Sequence, residues 1–250
     1  MSPSPFSFAA AFLVAALVFG NSAADLANPL FSFCFNPENV TSRYQTNLDK
    51  LLASLYKNVP PTGFGTDSVG KYPDQVYGLA LCRGDVSPSD CSLCLTDARD
   101  EIPEICPNNQ GVIVWYDNCL LKFDDADFLG KIDSSNKFYL YNVNSVTDPA
   151  VFNKKTSELL TKLAGDAYAA PNLFASGEGE AKGYTSPSKK KAVLYGMVQC
   201  TRDLSASDCK KCLDEIIGEL PSCCDGKEGG RVISGSCNFR YEVYPFLSTN

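Results

Sequence analysis

Residues 82–94 read CRGDVSPSDCSLC, and residues 200–212 read CTRDLSASDCKKC. Both carry C-x8-C-x2-C with Ser-Asp directly before the second cysteine, 118 positions apart. The same offset pairs Tyr77-Gly78 with Tyr195-Gly196, Leu95 with Leu213, Pro103 with Pro221, Cys106 with Cys224, Gly111 with Gly229 and Cys119 with Cys237. From Tyr77 to Cys119 the register holds without a gap, so one fold is written twice in tandem.

Working outward, each copy opens with a helical period. TSRYQTNLDKLLASLYKN (41–58) spaces Tyr44, Leu48, Leu51, Leu52 and Leu55 for one buried face, behind a cap at Thr41 or Ser42. VFNKKTSELLTKLAGDA (151–167) does the same with Phe152, Leu159, Leu160 and Leu163, at an offset of 108. PPTGFGTDSVGKYPDQ (60–75) and FASGEGEAKGYTSPSKK (174–190) follow as Gly/Pro/Ser-rich loops. VYGLALC (76–82) and AVLYGMVQC (192–200) read as strands, and SPSDCSLCLTDARDEI and SASDCKKCLDEIIGEL as helices capped by serine. GVIVWYDNCLLKFD and GRVISGSCNFRYEVY are β-rich, and KFYLYNV (137–143) is a further strand that bridges the copies. Strands beside helices without βαβ alternation predict an α+β domain on an antiparallel sheet. NVNSVTDPA (142–150) is short and is expected to join two copies that pack as a rigid pair.

The amino terminus, MSPSPFSFAAAFLVAALVFGNSAAD, has an apolar run from Phe8 to Phe19 and then small residues, the pattern of a secretory signal peptide cleaved after Ala24. That run is well short of the ~20 residues a membrane span needs, and no later stretch is long and apolar enough. The expected division is a signal peptide at 1–24, a first domain at 25–141 and a second at 142–250. The net charge of −7 lies wholly in the first domain, with 9 basic and 16 acidic residues against 13 and 13 in the second. This acidic balance argues against nucleic-acid partners.

Twelve cysteines in an exported chain favour disulfides. Zinc binding is the competing use of paired cysteines, but the chain has no histidine and the compartment is oxidising. A thioredoxin-like CxxC lacks its βαβ setting. No metal and no cofactor is implied. Without histidine, and without GxSxG, HExxH or a glycine-rich phosphate loop, the residue types do not suggest an enzyme. Asp124-Asp125 reads as a solvated strand end rather than a glycosidase pair.

The motif C-x8-C-x2-C, with Cys106 and Cys119 spaced beyond it, resembles the plant ginkbilobin-homologous domain, found in tandem in cysteine-rich repeat secretory proteins and in receptor-like ectodomains. The resemblance covers nearly the whole mature chain, twice. It implies a five-stranded antiparallel sheet packed against two helices in each domain, and a secreted apoplastic protein of defence or stress type. It also implies the pairs Cys34–Cys106, Cys82–Cys91 and Cys94–Cys119, then Cys200–Cys209 and Cys212–Cys237. The second copy lacks a counterpart of Cys34 and carries Cys223-Cys224 where the first has Ile105-Cys106. A Cys223–Cys224 bridge, free thiols and an intermolecular bond are the alternatives, the bridge being preferred.

Ginkbilobin binds mannose through an Asn, an Arg six residues before the last cysteine and a Glu five after it. Carried onto this chain, these are Arg231 and Glu242 in the second copy, where the first has Ile113 and Asp124. The asparagine maps to Asn142, with Asn144 close behind, where the first copy has Phe35. The competing expectation is that Arg231 and Glu242 form a cross-strand salt bridge. Beyond a mannose-type glycan, the partner is another extracellular protein, or the Cys223-Cys224 pair acts as a thiol-based redox sensor; the oligomeric state is not specified. Asn39-Val40-Thr41 is a glycosylation sequon, Arg83-Gly84-Asp85 matches an adhesion tripeptide by chance, and Trp115 and Tyr116 read as core and edge.

Overall fold

The computed structural model describes residues 28–37, 40–186 and 192–248. The expected signal peptide at 1–24 and the sequon residue Asn39 lie outside the described residues. The first domain runs β1 (Phe31–Phe35), α1 (Ser42–Asn58), β2 (Phe64–Val69), β3 (Val76–Cys82), α2 (Pro88–Ile105), β4 (Gly111–Trp115) and β5 (Cys119–Asp124). The second runs β6 (Lys137–Tyr141), α3 (Pro149–Ala169), β7 (Phe174–Glu180), β8 (Val193–Cys200), α4 (Ala206–Gly218), α5 (Leu220–Cys223), β9 (Gly229–Ser234) and β10 (Cys237–Glu242). Each domain is α+β, with one five-stranded antiparallel sheet: β1-β4-β5-β3-β2 in the first and β6-β9-β10-β8-β7 in the second.

Three differences from the sequence reading follow from pairing. KFYLYNV supplies β6, which pairs with β9, so the second sheet begins at Lys137 and not at the expected boundary of 142. The connector between the sheets is therefore 125–136, and NVNSVTDPA joins β6 to α3 within the second domain. Both glycine-rich segments read as loops contain edge strands, β2 and β7, which pair along β3 and β8. Their small and polar residues gave no hydrophobic alternation, because an edge strand is held mainly by backbone bonds to its neighbour.

The four longer helices, α1 to α4, each start on a side-chain cap. Thr41 accepts from the Tyr44 amide, Ser87 from Asp90, Asp148 from Val151 and Ser205 from Asp208, which satisfies donors the helix cannot. Tyr44, Leu48, Leu51 and Leu55 of α1 are buried against the sheet. Gly78 and its counterpart Gly196 let the helix approach. A Cβ at Gly78 would come within 2.7 Å of Leu51.

Both central sheets are covered twice. In β3 and β4, Ala80, Cys82, Val112 and Val114 face the helices, while Leu79, Leu81, Ile113 and Trp115 face the other domain. There they meet Phe138 and Ile233 of the second sheet, so the layers run helices, sheet, sheet, helices. Trp115 lies edge-on to Phe138 at 5.2 Å between centroids, and Phe31 stacks on Phe138 at 5.1 Å. Polar contacts close the seam: buried Gln199 donates to the Cys82 carbonyl at 3.0 Å, and Arg202 to the Thr62 carbonyl at 2.8 Å. The connector straps it, with the buried Lys122 ammonium 2.6 Å from Asp133 and over the Phe128 ring.

The structure joins Cys82 to Cys91 and Cys94 to Cys119, pinning α2 to β3 and β5, and Cys34 to Cys106, pinning β1 to the end of α2. Cys200–Cys209 and Cys212–Cys237 repeat the first two, and Cys223 bonds to Cys224. All twelve cysteines are thus paired. Register explains the departure in the second copy. Cys34 pairs with Val112, whose counterpart 118 residues on, Gly230, pairs with Tyr141. A tyrosine therefore stands where Cys224 would find its partner, and the neighbouring Cys223 takes that role.

The seam predicts that Phe138→Ala costs about 3–5 kcal/mol, as for other buried aromatic truncations. Urea unfolding followed by the fluorescence of Trp115, the only tryptophan, measures it directly. A cost under about 1 kcal/mol, within the range of surface substitutions, would show that the seam does not hold the domains.

Candidate functional site

Three separate segments converge at one end of the second sheet. Asn142 follows β6, Arg231 lies on β9 and Glu242 ends β10; together with Leu140, Tyr141, Gly229, Gly230 and Tyr244 they line an open cavity of about 190 Å³. The register places them: Leu140 pairs with Arg231, and Glu242 with Gly229. The Asn142 amide donates to the Gly229 carbonyl at 2.9 Å, which extends the β6 ladder by one residue. Its side-chain oxygen accepts from the Asn144 amide at 2.9 Å, so Asn144 supports Asn142. Gly229 is required here for space. A Cβ on it would fall 1.8 Å from a carboxylate oxygen of Glu242, so the carboxylate lies across the strand where only glycine fits.

The ion pairing differs from the expected cross-strand bridge. Glu242 is buried and its Oε1 accepts from Arg240 Nε at 3.1 Å, whereas Arg231 reaches across the domain seam to Asp117 Oδ1 at 2.5 Å. Arg240 also approaches Asp117, at 3.8 Å. Arg231 and Arg240 are themselves cross-strand partners; Asp117 of the first domain contacts both guanidinium groups, and Glu242 of the second pairs with Arg240. Burial pushes Glu242 above the usual carboxylate range, against the pull of Arg240 and Arg231. Burial also acts on Asp117, but Arg231, Arg240 and Arg83 together outweigh it and hold that carboxyl low.

In the first copy the same scaffold carries other chemistry. Ile113 stands where Arg231 does and is fully buried in the seam. Asp124, the counterpart of Glu242, packs beside Gly111 and Asp125. Neither of these two counterparts supplies a guanidinium at that end of the sheet. Arg83-Gly84-Asp85 is folded inward: Arg83 and Asp85 pair with each other, each only 10% exposed, and a Cβ on Gly84 would strike Phe174. Tyr116 donates to Glu101 at 2.7 Å and faces the helix side, opposite Trp115.

Sequence reasoning missed Arg240, Asp117, Tyr141 and Tyr244. Arg240 carried a signal, being two residues before Glu242 on one strand and so on the same face. Asp117 carried none, because it arrives from the other domain.

Two segments of the chain, 33–126 and 140–244, match the family described as salt stress response/antifungal. An antimicrobial ginkbilobin-2-like protein of Castanea crenata is 53% identical over 227 residues, covering 90% of this chain and 91% of that one. Cysteine-rich repeat secretory protein 38 of Arabidopsis thaliana is 54% identical over 225 residues, covering 88% and 86%. Among solved structures, the tandem DUF26 ectodomain of the Arabidopsis thaliana cysteine-rich receptor-like protein PDLP8 superposes with a TM-score of 0.71 at 29% identity, covering 87% of this chain and 98% of that one. The chain belongs to the salt stress response/antifungal family, with its domain present twice. It is a secreted, cysteine-rich tandem module of that family; among the described residues no helix is long and apolar enough to cross a membrane.

Asp124 supplies a pH test of this end of the fold. Burial, and then a hydrogen bond shared with Asp125, raise it from 3.8 to about 6. Between those values the folded chain holds a proton that the unfolded chain has released, so stability from this group is gained as pH falls and lost as pH rises through about 6. Asp124→Asn should raise the urea midpoint at neutral pH and lose that advantage progressively below about pH 6, down to the unfolded value of 3.8. An advantage that does not change with pH would refute the assignment.

Proposed function

We propose that this protein is a non-enzymatic extracellular binding protein of defence or stress type, whose second domain takes a mannose-type glycan in the cavity of Asn142, Arg231 and Glu242. One observation supports this reading above others: an amide, a guanidinium and a carboxylate from three separate segments line a single open cavity. Such a set matches the donors and acceptors of sugar hydroxyls. Tyr141 and Tyr244, both largely exposed, supply apolar ring faces beside them. A binding role also agrees with the residue types. The chain has no histidine for acid–base work, and its cysteines are held in disulfides.

On this reading Asp117 competes with the sugar for the Arg231 guanidinium, because the two share its donors. Arg231→Ala should weaken binding to mannan by about tenfold or more, given ~1.5–3 kcal/mol for a hydrogen bond to a charged group. Asp117→Ala should tighten it by releasing the same donors. Calorimetry with mannan measures both, and an unaltered protein that gives no signal would remove the glycan reading. What then remains is a protein-interaction module, favoured by Tyr139, Tyr141 and Val143, which stand exposed on and just beyond the edge strand β6.

A further inference from the structure

On the opposite, helix-covered side of the second sheet there is a separate cavity of about 180 Å³, between α3, α4 and α5 and floored by Tyr241 of β10. We propose that it is a second ligand site, taking a small, neutral, mostly apolar molecule with one hydroxyl group, a monocyclic phenol being the type.

Comparison of the two repeats shows why the helical layer is thinner here. At the offset of 108, Leu48 of α1 becomes Thr156 of α3, and Tyr56 becomes Ala164. At the offset of 118, Arg99-Asp100 becomes Ile217-Gly218. In the first copy Arg99 lies over the Tyr56 ring, 5.7 Å from its centroid; the second copy has neither partner. The long helix is also broken. Where α2 continues to Ile105, α4 stops at Gly218 and a short α5 turns into the Cys223–Cys224 bridge.

The lining selects the ligand. None of its nine residues is charged, and Ile217, Leu220, Pro221, Cys224 and the Tyr241 ring make it mainly apolar, so an ion would lose its hydration without recompense. Of its four polar side chains, Asn153 and Tyr241 are engaged, Ser157 is exposed to solvent, and Thr156 is the buried one left. Asn153 donates to Asp225 and accepts from the Gly226 amide, and the Tyr241 hydroxyl donates to backbone carbonyls. Thr156 is 2% exposed, and its hydroxyl has no hydrogen-bond partner. A buried hydroxyl left so is destabilising, and a ligand hydroxyl would relieve it. A water is a poorer occupant, because it needs two to four polar partners and Thr156 is the one buried hydroxyl of this wall without a partner. For size, an apolar cavity of ~150 Å³ holds benzene.

The test uses the full secreted chain, titrated with phenol and with benzene and followed by thermal unfolding and amide chemical shifts. Unaltered protein should bind phenol in preference to benzene. Thr156→Val, which keeps the shape and removes the hydroxyl, should abolish that preference, a loss of about fivefold or more for phenol. Thr156→Leu restores the first copy's residue; it should fill the cavity, raise the melting temperature and bind neither probe. Absence of any shift with millimolar phenol overturns the site, as does phenol binding that survives Thr156→Leu. A phenol preference that survives Thr156→Val overturns the role of the hydroxyl. Mannan binding should be unchanged in both variants, since Thr156 is not part of the glycan cavity.

Discussion

The two sheets can be buried on both faces only because each domain covers the other. Leu79, Leu81, Ile113 and Trp115 on one sheet, with Phe138 and Ile233 on the other, form an apolar seam that neither domain could leave in water. At roughly 25 cal/mol per Å² of apolar surface removed from solvent, a seam of aromatic and branched side chains is a strong non-covalent link between the repeats. It also sets the geometry of the site. The seam carries Asp117 of the first domain to Arg231 of the second, so the charge balance at the proposed glycan cavity is a property of the pair.

Disulfides act at a different level. Each conserved bridge between the repeats fastens α2 or α4 to the strands beneath it, within one domain and over short separations of 9 and 25 residues. They restrict the unfolded chain and hold the helix layer to its sheet, where a core of this size gains from such staples. None crosses the seam. The sixth bridge shows how the pattern yields to local register, since Tyr141 occupies the place of Cys34 and leaves Cys224 to its neighbour.

Duplication then allowed the copies to diverge where the scaffold tolerates it. One end of the first sheet is apolar and enters the seam through Ile113, while the second carries Arg231 there. The helix layer of the second copy carries the smaller residues Thr156 and Gly218 where the first has Leu48 and Asp100, beside a cavity on the other side of the same sheet. Tyr241 and Glu242, adjacent on β10, line these two cavities on opposite faces, as the alternation of a strand requires.

Much of this was legible in the chain alone. The tandem repeat, the capped helices behind Thr41, Ser87 and Ser205, and the central strands all follow from local rules of periodicity and capping, and those rules act within a few residues. Arg231 and Glu242 came from the resemblance to ginkbilobin, carried over at six residues before and five after Cys237. Edge strands β2 and β7 were hidden, since backbone pairing leaves little mark on side-chain pattern. The assignment of β6 to the second sheet, the pairing of Arg231 with Asp117 and the cavity beside Thr156 were decided only by tertiary structure. Each depends on groups far apart in the chain, and which of them meet is settled by the packing of whole layers.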